Sequence, residues 1–586
     1  MLRISFLVLL PLASEALIRQ NQLFGDSMVL ESREAYDIRP FVSGFGTVVG
    51  EPVSVSFNGK TYNTTVGNDL TWDVQMDCCD RETGKTLVVT GRDNTLTYID
   101  VACGQVFICS GQSNMELPLS YVFNGTQEIA AATRPNWRLF TVPHTTASTP
   151  QTGFTGGNNT RWKPCSPQTV PNFSAVCYLT AQQIARMYWG NDAPIGLIQS
   201  TWGGTRVEAW TPDTQQIRAA CSSAAGPAPA PLPGPQAAGA LYNGMIAPLT
   251  RYSIRAALWF QGEHNVVTHS SRQRYGCEFG AMVNAWRDAF TGIGDFPFLA
   301  VQLAPYTGYA PFAGHGDTSV VRLAQADALP HIGLDTTGMA VTIDLGDPSA
   351  PAGDVHSRHK EEVSRRLALQ ALHVAYAFQE GEPIVNEDHP EETPEPHVAL
   401  HFSGPVLRSA VHDSTTTTTI LAFDFAGDMH ANPPSMLYLK DTLGCNATGS
   451  QECCAARNTF ELCTGSAAVD ANTTELQCAN ATAIKLEAGG IVTLTGAAPG
   501  GATPTVVRHA YSNFPMCALY NTHGLPASPF VAAIESEHVV LALDPESSAD
   551  PPAKTPPMGL NSWVRAPPNT PQQTTVTLSC MRAIVY

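Results

Sequence analysis

A chain of 586 residues is too long for one compact core, so two to four domains are expected. Hydrophobic residues make up 43% of it and charged residues 14%, which excludes both a disordered chain and a membrane-embedded one. The net charge of −18, from 51 acidic and 33 basic side chains, argues against nucleic acid as a partner, because binding a phosphate backbone relies on Lys and Arg.

The chain begins with the layout of a cleavable signal peptide over residues 1–16: Arg3, an apolar run over 4–12, then the small residues Ser14 and Ala16. That run is far short of the ~20 residues of a spanning helix, and no later stretch is long enough for a membrane span. Fifteen cysteines suit an oxidising compartment; their odd number leaves at least one unpaired, and their pairing cannot be deduced. Sequons at Asn63, Asn124, Asn158, Asn172, Asn446, Asn472 and Asn480 are usable only in a secreted chain. The expected location is the secretory pathway, extracellular or lysosomal. No C-x-x-C pair or H-E-x-x-H is present, so neither metal nor cofactor is expected.

Residues 22–103 hold short β runs such as VSVSF, TWDVQM and KTLVVTG between Gly, Asn and Asp, the pattern of an N-terminal β-sandwich. At residue 104 the rhythm changes. Strand patterns at 106–109, 195–199, 254–260, 298–303 and 339–343 alternate with helical spacing at 174–189, 272–290, 320–329 and 360–378. Such alternation predicts an α/β fold over 104–380, a three-layer α/β/α domain with a parallel sheet covered on both faces. An Ala/Pro/Gly loop interrupts it at 222–239. Residues 381–535 return to short β runs, and 536–586 form a Pro-rich tail.

In such sheets the site lies beyond the carboxyl ends of the strands, and four loops there carry chemistry. Cys109–Glu116 (CSGQSNME) presents Ser113 at a strand-to-helix turn. Gln199–Thr205 (QSTWGGT) brings Gly203 and Gly204, whose N–H groups can approach a ligand closely. Trp259–Asn265 (WFQGEHN) supplies the amide of Gln261. Asp354-Val355-His356 supplies a base beside a carboxylate. Singly, each has a structural reading as a helix cap, a tight turn or a polar surface loop. Together they supply nucleophile, oxyanion donors and base on one sheet edge, the requirements of acyl transfer. Gln112, Asn114, Trp202 and Glu263 in the same loops are candidate substrate contacts.

GQSNMELPL, LIQSTWGGTRVEAWTP, LYNGMIAPLTRYSIRAALWFQGEHN and DVHSRHKEEVSRRLAL, with FGDSMVL, VVRHAYSNFP and GLPASPF nearer the ends, resemble the sialate O-acetylesterases of the SGNH-hydrolase superfamily over roughly residues 22–535. The resemblance implies an SGNH-type (flavodoxin-like) esterase domain and hydrolysis of O-acetyl esters on sugars, most readily 9-O-acetyl sialic acids. Ser113 matches the nucleophile, His356 the general base, Gly203 or Gly204 the second-block glycine. Gln261 stands where many members have an asparagine donor. Many place the catalytic acid three residues before the histidine, where this chain has Gly353. Asp354 is the nearest replacement, Asp347 and Asp344 are rivals, and a backbone carbonyl orienting His356 is a further option. An acetyl-xylan or other polysaccharide acetylesterase, and a non-catalytic carbohydrate-binding protein, stay open as alternatives. In the tail, Thr555–Trp563 (TPPMGLNSW) resembles the opening of an α-galactosidase-type glycoside hydrolase; only about 25 residues follow, where a barrel needs ~250, so no glycosidase activity is expected.

Overall fold

The computed structural model describes residues 15–32, 38–77, 79–154, 160–222, 232–290, 292–307, 317–385, 399–424, 437–441, 459–465 and 476–536. Most of the signal-peptide segment, the centre of the 222–239 loop, the sequons at Asn158, Asn446 and Asn472, and the tail with its glycosidase-like motif lie outside the described residues.

The site is carried by one seven-stranded path: β1 (Thr95–Gly111), β2 (Arg134–Thr141), β3 (Lys163–Cys165), β4 (Ile195–Thr201), β5 (Ala256–Phe260), β6 (Phe298–Val301) and β7 (Thr337–Ala340), in the order β3-β2-β4-β1-β5-β6-β7. All neighbours are parallel except β3 against β2. Without β2 and β3 this is the flavodoxin-like order 2-1-3-4-5, with chain order reversing at β1. Ile195–Thr201 is buried along its whole length because helices cover both faces: its first four residues are apolar or glycine, and the polar Gln199, Ser200 and Thr201 come only at its carboxyl end.

Helix α1 (Ser113–Glu116) follows β1 directly. Helix α2 (Ala175–Ile184) and helix α6 (Lys360–Tyr376) pack together, as do α4 (His269–Ala289) and α5 (Asp317–Ile332); α3 (Val207–Trp210) follows β4. Helix α2 starts at Ser174, whose hydroxyl accepts from the Cys177 N–H at 3.1 Å and donates to the Met115 carbonyl at 2.6 Å. The cap therefore ties α2 to the turn that carries Ser113. Helix α6 buries Val363, Leu367, Ala371 and Val374 at helical spacing. A Leu367→Ala change there should cost about 2–5 kcal/mol.

Before the parallel sheet stand two antiparallel sheets, one of Ile18–Gln20, Phe41–Gly46 and Thr71–Gln75, the other of Pro52–Phe57, Lys60–Thr65 and Glu82–Thr90. The second is continuous with β1. The first half of β1 pairs antiparallel with Glu82–Thr90, and its second half pairs parallel with β4 and β5. The expected change of rhythm at residue 104 thus falls inside one unbroken strand. After α6 the chain builds further β sheets with their own apolar core around Leu421, Phe460, Leu494 and Leu519. They are joined to the α/β unit by Arg322, whose guanidinium donates to the Ser512 and Asn513 carbonyls, and by the Tyr520 hydroxyl on Asp344.

Disulfides Cys79–Cys103, Cys109–Cys177, Cys221–Cys277 and Cys463–Cys478 join described residues, and Cys165 is buried and free. These bridges fit a protein of the secretory pathway. Among the described residues no helix is long and apolar enough to cross a membrane.

Candidate active site

Strand β1 ends at Gly111, with φ of +136° and a Cβ position only 2.2 Å from the Phe260 carbonyl oxygen. Only glycine fits, and its absent side chain lets Gln112 donate its N–H to that carbonyl at 3.1 Å. The chain then turns so that Gln112, not Ser113, precedes the helix, and Ser113 opens it half-buried. The Ser113 N–H has no acceptor among the described residues.

Ser113 and His356 are brought together. The Ser113 hydroxyl lies 2.8 Å from His356 Nε2, and His356 Nδ1 lies 2.7 Å from the Ala352 carbonyl oxygen. A carbonyl only accepts, so Nδ1 carries the proton and Nε2 offers its lone pair to the serine. The segment is fixed from below by Asn114, whose amide donates to the Val355 carbonyl at 2.8 Å.

None of the three carboxylates weighed as the acid meets His356. Asp354 accepts from the Thr307 N–H at 2.8 Å and from its hydroxyl at 2.5 Å. Asp347 is clamped by the Arg358 guanidinium at 2.6 and 3.0 Å, whose hydrogen bonds hold its carboxyl down to about 2. Asp344 is taken by Arg366 and Tyr520. The structure thus places a backbone carbonyl where a triad has its acid.

The oxyanion donors also differ from expectation. Gly203 leans on Ser113, its Cβ position 3.4 Å from Ser113 Cβ, but its N–H donates to a Glu116 carboxylate oxygen at 2.6 Å. The other Glu116 oxygen is 3.0 Å from His144 Nε2, and the His144 ring stacks on Trp202 at 4.3 Å. Hydrogen bonding to Glu116 raises the His144 pKa. Gly204, with φ of +69°, has open space on its Cβ side.

Gln261 does not face the serine. It is fully buried, and its amide donates to Asn265 Oδ1 at 2.7 Å, the Thr205 carbonyl at 3.0 Å and Gln112 Oε1 at 3.2 Å. It ties the three strand-end loops to one another.

Three of the four candidate substrate contacts are also internal. Gln112 is buried, and Asn114 and Glu263 form a buried chain with Lys360 that sequence reading missed: Glu263 accepts from Asn114 Nδ2 at 2.5 Å, and Asn114 Oδ1 accepts from Lys360 Nζ at 2.6 Å. Burial raises the Glu263 carboxyl and pushes Lys360 down to about 7. Asn114 is satisfied from both sides in this chain, whereas Gln112 Nε2 and the second Glu263 oxygen are buried without a partner among the described residues. Trp202 stays half-exposed. Beside it a cleft of about 780 Å³ is lined by Glu116, Pro118, Tyr121, Val142, His144 and Asn172, the last a sequon residue.

The family model "Carbohydrate esterase, sialic acid-specific acetylesterase" matches residues 103–368. The chain is 30% identical over 390 residues to the sialate O-acetylesterase of Rattus norvegicus, an alignment covering 57% of this chain and 69% of that protein. Against the Homo sapiens sialate O-acetylesterase it is 30% identical over 376 residues, covering 60% and 70%. Among solved structures, a carbohydrate acetylesterase from Xanthomonas citri is similar with a TM-score of 0.67 and 28% identity, over 88% of this chain and 99% of that one. The chain is a carbohydrate esterase and belongs to the sialate O-acetylesterase family.

Proposed function

We propose that the chain removes O-acetyl groups from sialic acids, 9-O-acetyl esters included, through a covalent acetyl-enzyme on Ser113. The observation that carries the reading is the 2.8 Å contact between the Ser113 hydroxyl and His356 Nε2. His356 takes the serine proton as the oxygen attacks the acetyl carbonyl, then returns it to the departing sugar hydroxyl. Water, activated by the same nitrogen, hydrolyses the acetyl-enzyme. The unpaired N–H of Ser113 faces the developing oxyanion; the Gly203 N–H joins it once Glu116 swings away, with Gly204 alongside. Each such donor is worth about 10²–10³ in rate. The exposed Tyr121 and the half-buried Trp202, one face of which is covered by His144, offer aromatic surface for a sugar ring.

The test is acetate release from 9-O-acetylated sialic acid and from acetylated xylan in parallel, with Ser113→Ala as control. Serine-dependent release from the sialic acid supports the reading. Release from xylan alone keeps the mechanism and replaces the substrate. Silence on both from folded protein overturns it.

A further inference from the structure

Eight arginine and lysine side chains are buried among the described residues, and seven of them have acceptors. Arg322 and Arg287 donate to main-chain carbonyls, Arg138, Arg255, Arg274 and Arg366 to carboxylates and carbonyls, and Lys360 to Asn114. Arg206 is the exception. It is 9% exposed, its Nε is wholly buried without a partner, and its guanidinium meets neither carboxylate nor carbonyl among the described residues. A buried cation without a counter-charge is costly, and proteins neutralise or pair such groups. No described residue supplies that counter-charge, which leaves the guanidinium for an anion from outside.

Its position says which anion. Arg206 follows the Gly203-Gly204 turn that leans on Ser113. Gln236 clamps the segment, donating to the Gly204 carbonyl and accepting from the Arg206 N–H. The positive charge also falls on His264, whose N–H bonds Gln112, the residue before the nucleophile. Burial and the Arg206 charge push His264 down to about 4, so that neighbour is neutral and leaves the guanidinium as the local cation. Uncommitted N–H groups in a planar fork suit a carboxylate.

We propose that Arg206 is a specificity-determining residue that binds the carboxylate of the acetylated sugar, selecting acidic over neutral sugars. This rests on the serine-esterase reading above and goes beyond it by assigning the residue that reads the acid. A carboxylate could also come from the product acetate, and the test separates the two.

The experiment compares kcat/KM for 9-O-acetyl-N-acetylneuraminic acid and for its neutral methyl ester, in wild type, Arg206→Met and Arg206→Lys. Wild type should favour the acid by roughly 10- to 100-fold, the range of one charge-assisted pair. Arg206→Met should bring the ratio to about 1 through KM for the acid, and Arg206→Lys should keep part of the preference. The unliganded Tm of Arg206→Met should not fall, since an unpaired buried charge has been removed, whereas a structural arginine predicts a lower Tm. Equal cleavage of acid and ester by wild type overturns the inference and leaves the esterase reading standing. Equal loss on both substrates in Arg206→Met overturns it as well. So does acetate inhibition that disappears in Arg206→Met while wild type shows no acid preference, because the guanidinium then holds product. Failure of both sugars to release acetate removes the proposed reaction and this inference together.

Discussion

The Ala352 carbonyl holds His356 Nδ1 at 2.7 Å, in the position a carboxylate occupies in a catalytic triad. A neutral acceptor fixes the tautomer as well as an acid does but gives less stabilisation to the imidazolium formed during attack. The expected consequence is insensitivity to the nearby acid. Asp354→Asn should lower kcat by less than about tenfold, where amidation of a true triad acid costs about 10⁴. Steady-state kinetics on an acetyl ester decides it, and a thousandfold loss would put Asp354 back in the machinery.

Glu116 occupies the Gly203 N–H, so in the proposed mechanism the oxyanion displaces it. Glu116→Ala should raise kcat/KM for p-nitrophenyl acetate by up to about tenfold, the value of one hydrogen bond to a charged group. The sign of the pH dependence follows from His144. Its folded pKa is raised, so its grip on Glu116 is complete below about 6.5 and is lost as pH rises through the folded value. The advantage of Glu116→Ala over wild type should therefore shrink with rising pH. A lower rate in the variant at every pH would make Glu116 a positioning residue instead.

The buried Glu263–Asn114–Lys360 chain should behave as one unit. Lys360→Met leaves a carboxyl and an amide oxygen without compensation, at a cost of about 3–5 kcal/mol. Adding Glu263→Gln should recover part of that loss, giving a coupling energy in a double-mutant cycle by chemical denaturation. Strict additivity would show that the two groups do not sense each other. Because burial lowers the folded pKa of Lys360 to about 7, the unfolded chain binds the extra proton from there to about 10.4. Wild-type stability should thus rise with pH in that window, and the slope should vanish in Lys360→Met.

Cys109 sits two residues before the end of β1 and is bonded to Cys177 in the first turn of α2. Replacing both by Ala should lower stability by about 2–5 kcal/mol. The loss of activity on warming should move to lower temperature in step with unfolding followed by circular dichroism. Retention of the wild-type Tm would show the bridge to be dispensable.

The alternation of strands and helices was legible because fully buried strands such as Ile195–Thr201 and amphipathic helices such as Lys360–Tyr376 write their periods plainly. Strand Arg134–Thr141 was not, since it contains a proline and two arginines. One of these, Arg138, is buried against Asp100, a pairing no local pattern announces. The four strand-end loops could be found from sequence, and Ser113 and His356 do meet there. The direction of each polar side chain could not. Gln261, Asn114 and Glu263 face inward toward partners distant in sequence, Gln112 and Thr205 for the first and Lys360 for Asn114. Lys360 itself reads as an ordinary solvated lysine at a helix start. Buried polar networks are fixed by pairwise compensation across the fold, which composition and spacing do not encode.

Strand Thr95–Gly111 belongs to two sheets at once, and the serine stands two residues beyond its end. Any clone that begins at residue 104 would sever a hydrogen-bonded rod rather than cut a tether. It would strip the strand that carries Ser113 of its root and expose a raw sheet edge to neighbouring molecules. Fragment expression of the α/β portion alone should consequently give insoluble material. Swapping sugar preference among relatives would have to exchange loops at the far end of the rod and leave the rod whole.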